Sequence, residues 1–282
     1  MTTDREFIFT PHDFERVRKM LYDRVGISLS PVKQDMVYSR LARRLRATSI
    51  DSFAEYLAYL ERGDDEEMEA FTNALTTNLT AFFREEHHFP ALAEHVKHYM
   101  GKHPINLWCS AASTGEEPYS MAMTMVDLFG SFTPPVKIFA SDIDTNVLKK
   151  AEAGVYSLDR LEKLPPDLVK RFFLKGSGTH EGYALVRKEL RDMITFRQIN
   201  LLEESWPMRG PFEAIFCRNV MIYFDKPTQR KILEKFVPLM RPDGLLFAGH
   251  SESFYHTADI FRSRGKTVYE LTPEAKVKAY HG

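Results

Sequence analysis

The sequence predicts an α/β fold, a mostly parallel sheet covered on both faces, preceded by an all-helical domain. Three observations carry this. Up to Leu75 the apolar residues recur only with helical periodicity. Beyond it, short apolar runs of strand length alternate with helical patterns, the grammar of a parallel sheet. The chain is 282 residues long, 44% apolar and 12% aromatic, enough for one large domain or two smaller ones and too apolar for wholesale disorder.

The elements follow in order. Pro11-His-Asp-Phe-Glu-Arg-Val-Arg-Lys-Met-Leu opens a helix that Val25-Gly-Ile closes with a glycine. Ser30-Pro31 starts a second, with a cap residue and a proline at its first position. At 100° per residue this helix places Val37, Tyr38, Leu41, Ala42 and Leu45 on one arc, with Lys33, Arg40, Arg43, Arg44 and Arg46 opposite. Val32 to Arg46 holds five basic residues and one acidic, a local charge of +4. A third helix begins near Asp51-Ser52 and carries Phe53, Tyr56, Leu57 and Leu60. The acidic run from Glu61 to Glu69 follows it, and a fourth helix covers Met68 to Leu75.

Strand-length runs then appear at Ile105–Ser110, Val136–Ser141, Ile194–Gln198, Phe212–Cys217 and Gly244–Gly249. Helical patterns lie between them at Glu117–Phe129, Asn146–Ala153 and Thr228–Met240. Phe261 to Leu271 reads as a closing hairpin with a glycine in its turn. The stretch before Ile194 breaks the alternation. It holds Pro165-Pro166, the glycines between Gly176 and Gly182, and a strand-like Tyr183–Lys188, and reads as a small appended sub-structure.

Several function classes are excluded. With 38 Lys+Arg against 39 Asp+Glu, the formal net charge of −1 argues against a dedicated nucleic-acid binder. No apolar run approaches the ~18 residues a membrane span needs. The opening Met1-Thr-Thr-Asp-Arg-Glu-Phe has no basic region leading into an apolar one, so no secretory signal is expected. Cys109 and Cys217 read as buried thiols in a reducing compartment, packing residues rather than nucleophiles or a disulfide. No His-Glu-x-x-His or Cys/His spacing occurs, and no metal is expected. Gly249-His-Ser-Glu-Ser253 is not a nucleophile elbow, because serine stands where the second glycine is needed. A soluble, cytoplasmic protein is the expectation.

In an open parallel sheet, ligands bind at the carboxyl ends of the strands, where strand order switches. The first strand runs into Ala111-Ala-Ser-Thr-Gly115-Glu-Glu-Pro-Tyr, either a ligand-approach turn or only a tight strand-to-helix connection. The second ends in Ser141-Asp142-Ile-Asp144. An acidic residue there suits ribose hydroxyls, whereas Asp144, directly before Thr145-Asn-Val-Leu, suits a helix cap; Asp142 is therefore the functional candidate. Asn200-Leu201 offers a polar edge and an apolar face to a purine-like base, or is simply a turn. Arg218-Asn219 directly follows a buried strand, which is costly unless something polar shares the crevice.

These residues carry a resemblance. Thr77-Asn78-Leu-Thr80-Ala-Phe-Phe-Arg84-Glu85, Cys-Ser-Ala-Ala-Ser-Thr-Gly-Glu-Glu117-Pro-Tyr-Ser, Ala-Ser-Asp142-Ile-Asp, Asn200-Leu201, Phe-Cys-Arg-Asn-Val-Met-Ile-Tyr-Phe-Asp225 and Gly-His-Ser-Glu-Ser occur in an order that closely resembles the CheR family. These are S-adenosylmethionine-dependent methyltransferases that esterify glutamates of bacterial chemoreceptors. The resemblance implies a Rossmann-like catalytic domain with a seven-stranded, mostly parallel sheet over 91–282. It also implies a helical domain over 1–75, a linker over 76–90, and a β-subdomain inserted at about Gly154–Arg191.

The resemblance also implies roles. S-adenosylmethionine, and its product S-adenosylhomocysteine, would be contacted by Asn78, Thr80, Arg84, Glu117, Asp142, Asn200, Leu201, Arg218 and Asn219. Asp142 would take the ribose, Asn200-Leu201 the adenine, and Glu117 the ammonium or sulfonium end. Asn78, Thr80 and Arg84 would close over the methyl-donor pocket, and Arg84 or Tyr223 would hold the substrate carboxylate. That carboxylate is already ionised at pH 7, so attack on the methyl needs alignment and desolvation rather than a base. The place after the fourth strand holds Arg218-Asn-Val-Met rather than an Asp/Asn-Pro-Pro-Tyr-like motif, which argues against methylation of nucleic-acid amines. Arg40, Arg43, Arg44 and Arg46 would dock the glutamate-rich receptor bundle, or form only a solvated face. The strand at Tyr183–Lys188 would offer an edge to a receptor C-terminal peptide, with Arg187 or Arg191 as charge partner. A monomer with no membrane insertion is expected. The competing readings are a receptor-bound adaptor that keeps the nucleoside for sensing, and a methyltransferase for a small acid or nucleic acid.

Overall fold

The computed structural model describes residues 5–280, so part of the stretch read as free of a secretory signal lies outside the described residues. The chain divides into two compact units, Met1–Thr77 with Tyr223–Asp225, and Asn78–Ile222 with Lys226–Gly282.

The first unit is helical: α1 (Pro11–Val25), α2 (Gln34–Thr48), α3 (Phe53–Glu61) and α4 (Asp65–Leu75). Thr10 and Asp13 form a reciprocal capping box at the start of α1, and Gly26 ends it in the left-handed region at φ 70°. Pro31–Lys33 forms a single 3₁₀ turn, so α2 starts three residues later than the proline suggests. α4 starts earlier than its apolar periodicity shows. Asp64 caps it, and Asp65, Glu66 and Glu67 fill its first turn, where carboxylates complement the helix dipole. Val17, Leu21, Val37, Leu41, Leu45, Phe53, Tyr56, Leu57 and Phe71 are fully buried.

On α2 the apolar arc faces inward as expected, but the basic arc is not uniform. Arg40 donates to the Thr76 carbonyl at 2.6 Å. Arg44 grips Glu67 with two hydrogen bonds of 2.9 and 2.5 Å, and Tyr56 donates to the same carboxylate at 2.6 Å. Arg46 pairs with Glu6 in solvent, and Arg43 is exposed. Two of the four arginines expected to dock a partner are therefore tied into the unit itself.

The second unit runs α5 (His88–Lys97), β1 (Ile105–Cys109), α6 (Glu116–Phe129), β2 (Val136–Asp142), α7 (Thr145–Ala153), β3 (Val155–Ser157), α8 (Pro166–Phe172), β4 (Phe173–Lys175), β5 (Tyr183–Val186), α9 (Lys188–Arg191), β6 (Ile194–Gln198), β7 (Phe212–Cys217), α10 (Lys226–Phe236), β8 (Met240–Ala248), β9 (Phe261–Gly265), β10 (Val268–Leu271) and α11 (Pro273–Tyr280). The seven-stranded sheet has the order β6-β2-β1-β7-β8-β10-β9, and only β10 runs antiparallel to the other six strands. The chain builds outward from β1 through β2 to β6, then returns to lay β7 on the other side of β1. The β1/β7 boundary is thus the switch point, and all six residues of β7 are buried.

Two expectations need correction. The helical pattern read as reaching Met240 stops at Phe236. Pro238 cannot donate into a helical turn and disfavours α geometry in the residue before it, so Met240 opens β8 instead. The inserted segment is a three-stranded antiparallel sheet of order β3-β5-β4, and the strand holding Tyr183 is its centre. The edges are the three-residue strands β3 and β4, so Tyr183–Val186 has no open side for a peptide. The closing hairpin turns through Gly265, Lys266 and Thr267, all at positive φ.

Candidate active site

Two polar clusters sit at the carboxyl ends of β1, β2 and β7. The first surrounds Asp142, which ends β2 and is 9% exposed. Its Oδ2 accepts the Ser113 N–H at 2.8 Å, and its Oδ1 the Asp144 N–H at 3.0 Å. Burial outweighs these bonds and pushes its carboxyl up to about 6. Asp144 caps α7 through the Asn146 and Val147 N–H groups and accepts the Asn78 side-chain amide at 2.8 Å. The Ser113 hydroxyl donates to the Asn78 carbonyl, which ties the segment from Asn78 to the β1–α6 turn. Ile199 bonds to the Asp142 carbonyl, placing Asn200 and Leu201 beside this cluster. Leu201 is buried, and the Asn200 side chain accepts the Leu202 N–H in a local turn.

The second cluster is centred on Arg218, which is 3% exposed. Its guanidinium lies 2.7 Å from Glu117 and 3.3 Å from Glu85, and donates to the Arg84 carbonyl at 2.5 Å. The Cys109 thiol donates to Glu117 at 3.2 Å. Burial pushes Glu117 up, with Arg218 opposing. Burial acts the same way on Glu85, but the His250 hydrogen bond, the Arg218 charge and Asn219 outweigh it and hold Glu85 at about 2. Two carboxylates thus face one guanidinium in this pocket. Beneath it, Arg160 pairs with the fully buried Glu116 and donates to the Thr80 carbonyl at 3.1 Å.

Backbone geometry marks the same place. Among the described residues, seven non-glycine positions have positive φ, and four of them (Phe83, Glu85, Ser113 and Asn219) lie in or beside these clusters. Left-handed non-glycine residues persist only where surrounding bonds impose them, and they gather at functional sites.

Nine expected cofactor residues thus fall on one face of one unit. The Arg84 side chain, half-buried, turns back to donate to the Leu79 carbonyl. Tyr223 groups with the helical unit, where its carbonyl accepts the Ser28 N–H. Glu85, Ser113, Glu116, Arg160, His250 and Glu252 belong to the site's framework and carry no role in the sequence reading. Each of them has a partner 29 to 165 residues away in the chain, which no local spacing reveals. Glu85, His87 and His88 bring ligand atoms within 4.8 Å of one another, but the Arg218 guanidinium 3.3 Å from the same Glu85 carboxylate opposes a cation there. Burial lowers His88 to about 4, so it is neutral at physiological pH. A cavity of about 900 Å³ lined by Met208, Pro211, Met240 and Arg241 lies at the amino ends of β7 and β8, away from this chemistry.

Residues 78–270 match the family model described as CheR methyltransferase, SAM binding domain, and residues 12–76 the one described as CheR methyltransferase, all-alpha domain. With its strand order and the acidic end of β2, the second unit is an S-adenosylmethionine-dependent methyltransferase. The chain belongs to the CheR methyltransferase family. It is 58% identical over 267 residues to chemotaxis protein methyltransferase 2 of Pseudomonas aeruginosa, covering 94% of this chain and 95% of that one. It is 54% identical over 262 residues to the chemotaxis protein methyltransferase of Salmonella typhimurium, covering 93% and 90%. To that of Escherichia coli it is 51% identical over 273 residues, covering 96% and 94%. No helix among the described residues is long and apolar enough to cross a membrane.

Proposed function

We propose that this chain transfers the methyl group of S-adenosylmethionine to glutamate side-chain carboxylates of methyl-accepting chemotaxis receptors, forming glutamyl methyl esters. The observation that carries the reading is the Glu117–Arg218–Glu85 arrangement at the switch point, whose two carboxylates around one guanidinium suit a cationic cofactor end. The bound cofactor supplies a methyl group already activated on a sulfonium.

The chain's residues bind, align and shield. Asp142 takes the ribose hydroxyls: its carboxyl is destabilised as an anion by burial, and two hydroxyl donors repair that. Asn200 and Leu201 address the adenine, and Glu117 with Arg218 and Asn219 holds the methionine end. Asn78, Thr80 and Arg84 close the pocket from the segment bonded to Asp144, Ser113 and Arg160. Arg84, or Tyr223, steadies the incoming carboxylate, which needs no base. Attack on the methyl then depends on alignment and desolvation.

Arg43 and Arg46 are the arginines of the basic arc best placed to meet an acidic receptor bundle, Arg40 and Arg44 being occupied within the helical unit. The edges β3 and β4 of the small sheet are the places where a receptor C-terminal peptide would add as a strand. The protein works as a cytoplasmic monomer on this reading. A methyl-transfer assay with labelled S-adenosylmethionine and isolated receptors tests it. Base-labile label on receptor glutamates is the expected result, and receptors left unlabelled by folded, cofactor-binding protein would refute it.

A further inference from the structure

The loop that leaves β7, Arg218–Ile222, is shaped by a carboxylate from the turn after β8. Glu252 is 5% exposed. Its Oε2 accepts the Gly249 N–H at 2.5 Å and the Asn219 N–H at 2.9 Å, and its Oε1 accepts Val220 at 3.0 Å and Met221 at 2.8 Å. Three successive backbone N–H groups converge on it, with Asn219 in the left-handed region at φ 58°. This is an anion-binding concavity filled from within the chain. On the other side, Gln229 donates to the Met221 carbonyl at 2.8 Å.

All four donors belong to the two turns that end β7 and β8, and none to the core. A carboxylate has about four acceptor positions and an amide oxygen only two, so the residue type matches the number of donors. Gly249 completes the arrangement: a Cβ there would stand 2.3 Å from the Asn219 amide nitrogen and 2.9 Å from its backbone nitrogen.

We propose that Glu252 is a positioning residue for methyl transfer, its carboxylate holding the loop so that Arg218 and Asn219 meet Glu117 and Glu85 in a preformed cofactor pocket. The proposal rests on the reading that Arg218 and Asn219 contact the cofactor. It acts through backbone geometry, and its mark is a split between cofactor and receptor parameters. Glu252→Gln keeps the shape but turns an NH₂ toward two N–H groups. It should weaken S-adenosylmethionine binding about tenfold or more, the loss expected when buried donors go unpaired, and lower kcat, while the KM for receptor stays within about twofold. Gly249→Ala presses on the same loop from the opposite side and should give the same split.

Calorimetric titration, steady-state kinetics and thermal unfolding would be run on both variants, all below the unfolding midpoint. A purely structural Glu252 would lower the midpoint and leave affinity and kcat unchanged below it; that result overturns the proposal. Should Glu252→Gln fail to fold, Glu252→Asp, which keeps the charge on a shorter arm, carries the test in its place by the same readouts. Asn219→Gly, which keeps the left-handed turn and removes the amide, separates the two premises. If it weakens cofactor binding while Glu252→Gln does not, only the positioning role falls. If it binds normally as well, the assignment of this loop to the cofactor falls with it.

Discussion

Asp142 shows how burial turns an ordinary carboxylate into a pH-dependent ligand. Its folded value, raised to about 6 by burial against about 3.9 for a free aspartate, means that ionisation is disfavoured in the folded chain. Folded stability from this group is therefore greatest below about pH 4 and is lost as pH rises toward 6. Ribose hydroxyls donate to the anion, so the sign for binding is the reverse. Cofactor affinity should be level above about pH 6 and fall by up to roughly tenfold per unit below it, with proton release on binding. Calorimetry across that range checks this, and Asp142→Asn should flatten the slope; a slope that survives in that variant would take Asp142 out of the ribose site. Asp142→Ala should weaken binding by about 1–3 kcal/mol. The two cysteines contrast with it. Burial pushes both thiols up, far from nucleophilic range. Cys217→Ala should leave methyl transfer largely intact. Cys109→Ala also removes the thiol bond to Glu117, for which a loss of about 1 kcal/mol in cofactor affinity is expected. A folded but inactive variant of either would overturn this.

At the scale of elements, α2 separates structural from available charge within one turn. Arg44 and Tyr56 are the partners of Glu67, which is 7% exposed, so Arg44→Ala leaves a buried carboxylate short of its cation. A loss of roughly 2 kcal/mol in unfolding free energy is expected, visible as a lower thermal midpoint. Arg43→Ala with Arg46→Ala should hardly move the midpoint, since Arg43 is exposed and Arg46 pairs only with Glu6 in solvent. That pair should instead slow receptor methylation at low salt while cofactor affinity stays unchanged. Normal methylation by the double variant would make the arc mere solvated surface. Periodicity alone sorted the face of α2 correctly, but it carries no information on which arginine finds an acid 23 residues away.

For the whole molecule, the small sheet does more than offer an edge. Tyr156 donates to the Thr114 carbonyl, and Arg160 supports Glu116 and Thr80, so the insertion braces the turn below the site. Deleting it would leave Glu116 buried without its cation, and would damage the pocket for reasons unrelated to receptor binding. Point changes on the edges are the cleaner test. A receptor C-terminal peptide should bind with micromolar affinity, and Val155→Pro on β3 or Lys175→Pro on β4, whose N–H groups point away from β5, should abolish that while cofactor affinity survives. Tethering of this kind would raise local substrate concentration toward the millimolar range. Titration showing no binding by any C-terminus among the host's receptors would remove the tether.

The sequence by itself determined what is periodic or local. The apolar arcs of α1 to α3, the strand–helix alternation and the cap at Asp144 are each written within a few residues, because helices, strands and caps obey short-range rules. The ordered motifs also carried the family. Only the tertiary structure decided which charges are spent on the fold. The sharing of Arg218 between Glu85 and Glu117, 133 and 101 residues away, depends on β7 returning beside β1, a crossover that no spacing encodes. The same holds for Glu252, whose motif in sequence looks like a failed nucleophile elbow. Its carboxylate gains meaning only when the turns ending β7 and β8 are brought together around it.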